Sequence, residues 1–196
     1  MKKLPLIDNY TYALLEHADF LPLFRQHRPK VFADTFTLRA RDYAFSEGEL
    51  EKLESLQANT GNPLGNHFVV YQGNDFVGWS TGWQETDSAY AMLNTGVLKE
   101  HQGKGIYSAL LPIIIERVRS QGFQTIKSRH NATNNQVIIP KLKAGFVITG
   151  LELSDGFGTL VTLTYFMNEK RREVMDMRSG LKKPSGWMLE QAGVPN

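Results

Sequence analysis

An α/β (α+β) class, a mixed sheet with helices packed on it, is predicted by three features of the sequence. Short runs rich in Val, Thr, Tyr and Phe recur from residue 67 to residue 166, bounded by Gly, Asn and Asp. Between them lie stretches whose apolar residues repeat every three or four positions, the period of an amphipathic helix. One strand also runs through a pair of glycines straight into a helix.

The elements follow in order. "YTYALLEHADFLPLFRQH" reads as a helix with Leu14, Leu15, Ala18 and Leu21 on one side and a break at Pro22. "TFTLRA" reads as a first strand. In "SEGELEKLESLQ", Ser46 and Glu49 form a capping-box pattern, and Leu50, Leu53 and Leu56 supply a stripe to bury. "HFVVYQ" and "FVGWSTGWQ" flank the turn "GND" as a hairpin, and Trp79 and Trp83 share a face, one for the core and one free to wall an acceptor pocket. "AYAMLNTGVL" is a strand that enters the glycine loop, after which Ile106, Ala109, Leu110, Ile113, Ile114 and Val118 mark a helix. "TIKSRH" is a further strand, "NNQVIIPKLKA" a short helix ended by Gly145, and "FVITGLEL" and "TLVTLTYF" two strands joined at "SDGFG". Pro112 and Pro140 stand inside helices and should bend them. "NEKRREVMDMRSG" closes as a helix capped by Asn168 and stopped by Gly180, and residues 181–196 form an extended tail. One domain over residues 1–167 is expected, with residues 168–196 as a helix and tail.

Composition narrows the chemistry. The chain has no cysteine, which excludes disulfides, thiolate metal sites and thiol nucleophiles. With 22 Lys plus Arg against 20 Asp plus Glu, the net charge of +2 makes no global case for a polyanionic partner. The cluster Lys170, Arg171, Arg172 is interleaved with Glu169, Glu173 and Asp176, which argues for a solvated helix face and against nucleic acid. The N-terminus lacks the apolar stretch of a secretory signal, and the run "ALLPIII" is too short to span a bilayer. The expectation is a cytoplasmic protein with no membrane contact and no metal, and a homodimer is left open.

The glycine pair, Gly103 and Gly105, sits where a helix begins. Unpaired backbone N–H groups and the positive end of the helix dipole can hold an anion there, and glycines that merely permit a turn are the alternative. A Walker loop fails, because Leu98 stands where its first glycine belongs and Lys104 is followed by glycine rather than Ser or Thr. A dinucleotide fingerprint is weak: Ser108 holds the place of its third glycine, and "TIKSR" offers no acidic residue. A third pattern, Gln or Arg, two residues, Gly, one residue, Gly or Ala, is met by Gln102-Gly103-Lys104-Gly105-Ile106-Tyr107 in all but its last place.

At these residues the chain resembles the GNAT superfamily, the general-control-type N-acetyltransferases that use acetyl-CoA. "NNQVIIPKLKAGF" is similar to that family's second block, with Asn134 in the Asn place and Gly145-Phe146 in the Gly-Phe place. The resemblance covers roughly residues 66–166. It implies a mixed, mostly antiparallel sheet splayed between its central strands. It also implies a CoA site in which Gly103, Lys104, Gly105, Ile106 and Tyr107 cradle the pyrophosphate with backbone N–H groups, helped by Gln102. Val97 and Leu98 would pair with the amides of pantetheine as a sheet edge pairs with an added strand, and Asn134 would bond the pantetheine arm or a water.

Two departures bear on the chemistry. The tyrosine that in the family often returns a proton to the CoA thiolate stands four residues before Gly-Phe, and here that place is Lys141. The strand positions that often carry a Glu or His base are Ala91, Leu93 and Thr95. His130, at the end of "TIKSRH", and Glu85, before the central strand, are the substitute candidates for proton transfer or for holding a cationic substrate. A structural histidine and a solvated hairpin acid are the plain alternatives. The expected function is transfer of an acetyl group from acetyl-CoA to a small-molecule or peptide primary amine by direct attack in a ternary complex. The competing expectation is a CoA-binding sensor module of the same fold with little turnover.

Overall fold

The structure is a computed structural model that describes residues 2–33, 43–58 and 61–193. The chain divides into two units, residues 1–165 and residues 166–196. The first is built on eight strands: β1 (Leu4–Ile7), β2 (Tyr10–Leu15), β3 (Gly65–Gln72), β4 (Asp75–Gln84), β5 (Ala89–Val97), β6 (Thr125–Asn131), β7 (Val147–Ser154) and β8 (Gly158–Phe166). They lie in one sheet in the order β1-β2-β3-β4-β5-β6-β8-β7. All described pairings are antiparallel except β5 with β6. That parallel step requires a crossover, supplied by helix α3 (Ile106–Ser120).

Helix α1 (His17–Val31) covers one face of the sheet. Phe20 packs there with Ala13, Val69, Tyr71 and Trp79, and Leu23, Phe24 and Val31 close over them. The opposite face takes α3, whose Ile106, Leu110, Ile114 and Val118 are buried, as their spacing predicts; Ala109 and Ile113 of the same stripe are half-buried, and Leu111 and Ile115 are buried beside it. Asn66 of β3 fastens the far end of that helix, donating to Gln121 at 2.8 Å and accepting from Arg117 at 3.2 Å. Helix α4 (Asn135–Lys143) follows β6.

Several elements differ from expectation. The first helix begins only at His17, because Tyr10–Leu15 pairs with β3 over its whole length and buries Tyr10 and Ala13. Leu14 and Leu15 thus belong to a strand, and the β-propensity of "YTY" prevails over an apparent helical spacing. Pro22 does not end α1; it lies within it, as does Pro29. In α2 (Glu47–Ala58) Glu49 accepts from the Ser46 N–H at 2.8 Å and from its hydroxyl at 2.7 Å, in keeping with the capping pattern. Its leucine stripe is not buried: Leu53 and Leu56 are exposed. The expected strand "TFTLRA" lies outside the described residues. Pro112 and Pro140 stand inside continuous helices.

In the second unit α5 (Glu169–Arg178) starts at Asn168, whose side chain accepts from the Arg171 N–H. Its basic residues are engaged locally. Arg172 and Lys182 pair with the buried Asp176 at 2.8 and 3.2 Å, and Lys170 sits over the Trp187 ring, whose indole N–H donates to Glu173 at 2.7 Å. The tail expected to be extended contains a further short helix, α6 (Gly186–Gln191). Among the described residues no helix is long and apolar enough to cross a membrane.

Candidate functional site

The site arises where β5 and β6 part. Their parallel pairing runs from Ala89 with Thr125 to Met92 with Ser128 and stops there. Strand β5 continues beside β4 as far as Gly78 opposite Val97, with a register shift that makes Leu93 the extra residue. The bulge bends β5 at the rung where β6 leaves it. Leu93 to Val97 therefore have a strand on one side only.

The backbone groups on that open edge can be assigned. The Leu98 N–H donates to the Val77 carbonyl at 2.9 Å, so Leu98 faces β4. By alternation the N–H groups of Val97 and Thr95 face the gap. The Val97 carbonyl is taken by the Gln102 side-chain amide at 3.0 Å. Gln102 is thus turned to the strand end, and the Val97 N–H stays open to the gap.

The chain then turns through Gly103 and Gly105, with φ of +75° and +74°, in the left-handed region that favours glycine. A Cβ at Gly103 would meet nothing within 4 Å, so the backbone there borders open space. The first bond of α3 runs from the Ala109 N–H to the Gly105 carbonyl. The N–H groups of Ile106, Tyr107 and Ser108 precede it and have no acceptor within the helix. Together with the helix dipole they form a positive pole at the mouth of the cleft.

A cleft of about 550 Å³ joins these features. It is bordered by Thr95, Gly96 and Val97 of β5, by residues 101–108, by Asn134 and α4, and by Val31 and Phe32. Since α1 and α3 lie on opposite faces of the sheet, the opening passes through the gap between β5 and β6. Of the residues expected to hold cofactor, Val97, Gln102, Gly103, Lys104, Gly105, Ile106, Tyr107 and Asn134 all line it. Leu98 does not, for the reason of alternation given above. Asn134 is the residue before α4, and its side chain makes no capping bond. Its amide is left to the cleft. Tyr107 also borders the cleft, yet its hydroxyl is buried without a partner, and burial pushes its phenol up. His101 leans on the strand side, with Nδ1 3.0 Å from the Tyr10 hydroxyl.

The two candidates for proton transfer are not brought together. Ser128 and His130 share one face of β6, while Lys127 and Arg129 point to the other. Glu85 pairs with that second face, at 2.9 Å to Arg129 and 3.2 Å to Lys127. Burial raises its carboxyl, but the hydrogen bonds and charges of Arg129 and Lys127 outweigh that and hold it below the usual range. His130 stands two residues past the last β5–β6 rung, with Nε2 2.7 Å from the Ser128 hydroxyl. Burial, helped by the nearby Lys141 charge, pushes its imidazole down to about 3. In the sequence Lys141 stands where the resemblance places a tyrosine. It lies 1% exposed beneath this pair, bonded to the Ser128 hydroxyl and 3.6 Å from Met92 Sδ. Its place on a buried helix face four residues before Gly145 was the available signal. Trp79 is core, under α1, and Trp83 is exposed.

The architecture has known counterparts. A ribosomal-protein-S5-alanine acetyltransferase from Vibrio fischeri is similar with a TM-score of 0.62 at 18% identity, covering 86% of this chain and 98% of its own. The protein yncA of Salmonella typhimurium, solved with its cofactor acetyl-CoA, has a TM-score of 0.59 at 17% identity, over 83% of this chain and 96% of its own. A GNAT family acetyltransferase from Elizabethkingia anophelis with acetyl-CoA bound has a TM-score of 0.58 at 13% identity, over 82% and 100%. At these identities the likeness is one of fold. A comparison with curated proteins gave no match. The sequence model of the acetyltransferase (GNAT) family, however, matches residues 32–146, more than half of the chain, and spans the splayed strands, the glycine loop and α4. The chain belongs to the acetyltransferase (GNAT) family.

Proposed function

We propose that this chain transfers an acetyl group from acetyl-CoA to a primary amine by direct attack within a ternary complex, with the cytoplasm as its setting. The observation that carries the reading is that one cleft joins the open edge of β5 to the unpaired N–H groups at the start of α3. The pyrophosphate of CoA matches the helix start, held by the backbone from Gly103 to Tyr107 with Lys104 alongside. The pantetheine amides match the free Val97 and Thr95 edge as an added strand, and Asn134 faces the arm from across the cleft. The thioester then lies where β5 and β6 part. One aimed backbone donor there contributes roughly 3 kcal/mol to the transition state.

Proton transfer is assigned to His130, which borders the splay as a neutral imidazole. Glu85 is assigned to the ion pairs that steady β6, since two cations already engage its carboxylate. The second reading, a CoA-binding sensor module, draws on the same facts: a lysine stands in the place of the tyrosine acid, and no carboxylate reaches His130 in the described structure. Thiol release from acetyl-CoA separates the two. The amine panel includes free amino acids, a polyamine and a peptide with N-terminal alanine, the last because similar structures include ribosomal-protein-alanine acetyltransferases. Turnover with any amine supports the enzyme; CoA binding with no turnover across the panel supports the sensor.

A further inference from the structure

Among the described residues, Lys141 is the one lysine or arginine that is buried. Among the described residues no opposite charge pairs with it. Its neighbours are the Ser128 hydroxyl, to which its amine donates, Met92 Sδ at 3.6 Å and the face of Phe146 at 5.2 Å from the ring centre. No carboxylate of the described residues forms an ion pair with it. A side chain wanted only to fill this space would be apolar, because burying an unpaired amine is costly. Burial draws the Lys141 amine well below the usual lysine range, so the group gives up its proton more readily than an exposed lysine does.

The contacts form a chain with a direction. Ser128 accepts from Lys141 and so has its own hydrogen free for His130 Nε2, 2.7 Å away. Nε2 is then the acceptor, and the imidazole carries its hydrogen on Nδ1. Met92 and Ser128, the two residues that Lys141 touches on β5 and β6, are themselves the last paired rung before the strands separate. The buried end of the chain therefore sits at the apex of the splay, and its outer end, His130, stands two residues past that rung on β6.

We propose that Lys141, Ser128 and His130 form a proton relay that protonates the CoA sulfur as the thioester breaks, in place of the family's tyrosine acid. This rests on the acetyl-transfer reading of the cleft. As the amine nitrogen bonds to the acetyl carbon, the C–S bond breaks and its electron pair stays on sulfur. Sulfur takes the Nδ1 proton of His130, Nε2 takes that of Ser128, and Ser128 takes one from the Lys141 ammonium. The new amide nitrogen gives up one proton, which returns along the same chain and recharges Lys141. Sulfur gains what nitrogen loses, and no further reactant is needed. Of the groups facing Lys141, only His130 titrates; Ser128, Met92 and Phe146 do not.

The test uses the full chain, the best acceptor from the amine panel and thiol release as readout. Ser128→Ala removes one hydroxyl and cuts the relay at its middle. It is expected to lower kcat about 10²-fold, while the Kd for CoA itself, by titration calorimetry, stays within about twofold. Lys141→Met keeps an unbranched chain among Met92 and Phe146 and is expected to do the same. The double variant should be no slower than either single one, because one chain can be cut only once. A merely structural role would lower Tm and CoA affinity together and leave kcat per folded molecule intact. If Lys141→Met fails to fold, Ser128→Ala decides alone. Turnover that survives Ser128→Ala, or losses that multiply in the double variant, overturn the relay and leave acetyl transfer standing. CoA binding without turnover by the unaltered chain overturns the acetyl-transfer reading, and the relay with it.

Discussion

Acidification should expose the neutral state of His130 directly. In the folded chain its imidazole is pushed down to about 3 by burial and by Lys141, whereas an unfolded histidine titrates near 6.5. Above pH 6.5 neither state binds the proton, and the contribution to stability is fully present. As pH falls below 6.5 the unfolded state takes the proton and the folded state does not, so stability is lost progressively until pH approaches 3. Between pH 7 and pH 5 the gap in proton binding costs about 2 kcal/mol. Other groups also shift: burial lowers His67 and His27, and Glu85 is held low by its cations. These are common to wild type and a His130→Gln variant, so the difference between the two isolates His130. Glutamine retains an acceptor for the Ser128 hydroxyl. Urea titrations at pH 7 and pH 5 should show the wild type losing about 2 kcal/mol more than the variant on acidification. Equal losses, or an imidazole resonance of His130 that titrates near 6.5, would refute a buried neutral histidine at the splay.

Other outcomes follow from the cofactor loop and its surroundings. CoA at a hundred times its Kd should stabilise the fold by about 2.7 kcal/mol and raise Tm by several degrees; no shift at millimolar CoA removes the cofactor assignment. Lys104 is exposed, so Lys104→Glu should leave the Tm of the free protein unchanged but weaken CoA binding roughly tenfold or more by placing a negative charge at the phosphate site, and an unchanged Kd by calorimetry would detach this residue from the site. Gly105→Val should behave differently, because φ of +74° forces the branched residue into the left-handed region: a loss of about 1–3 kcal/mol is expected in denaturant melts even without ligand. Glu85→Gln should cost no more than about 1 kcal/mol, since its partners are partly solvated, and should leave kcat near wild type; a fall of two orders of magnitude would make Glu85 the base.

The sequence by itself determined the fold class, the strand, glycine loop and helix that border the cleft, and most of the face that α3 buries. These signals are local: the 3.6-residue period of Ile106 to Val118, the two glycines at a helix start and the capping pattern at Ser46 each depend on residues a few positions apart. The first segment shows the limit of such signals, because Tyr10–Leu15 satisfies a helical spacing and a strand pattern alike. Only a partner distant in sequence, β3, settles which forms. Tertiary structure alone decided that Leu98 faces β4 while Val97 faces the gap, since that depends on the register of β5 against β4 and on a bulge at Leu93. It also decided that Glu85 is bound to Lys127 and Arg129, 42 and 44 positions away, and that His130 faces the other side of β6. Lys141 is the sharpest case: in the sequence it is a substitution for a tyrosine, and in the fold it is a buried amine joined through Ser128 to a histidine. Burial and hydrogen bonding between strands and helices set the protonation of such groups, and these arise only when the segments are packed together.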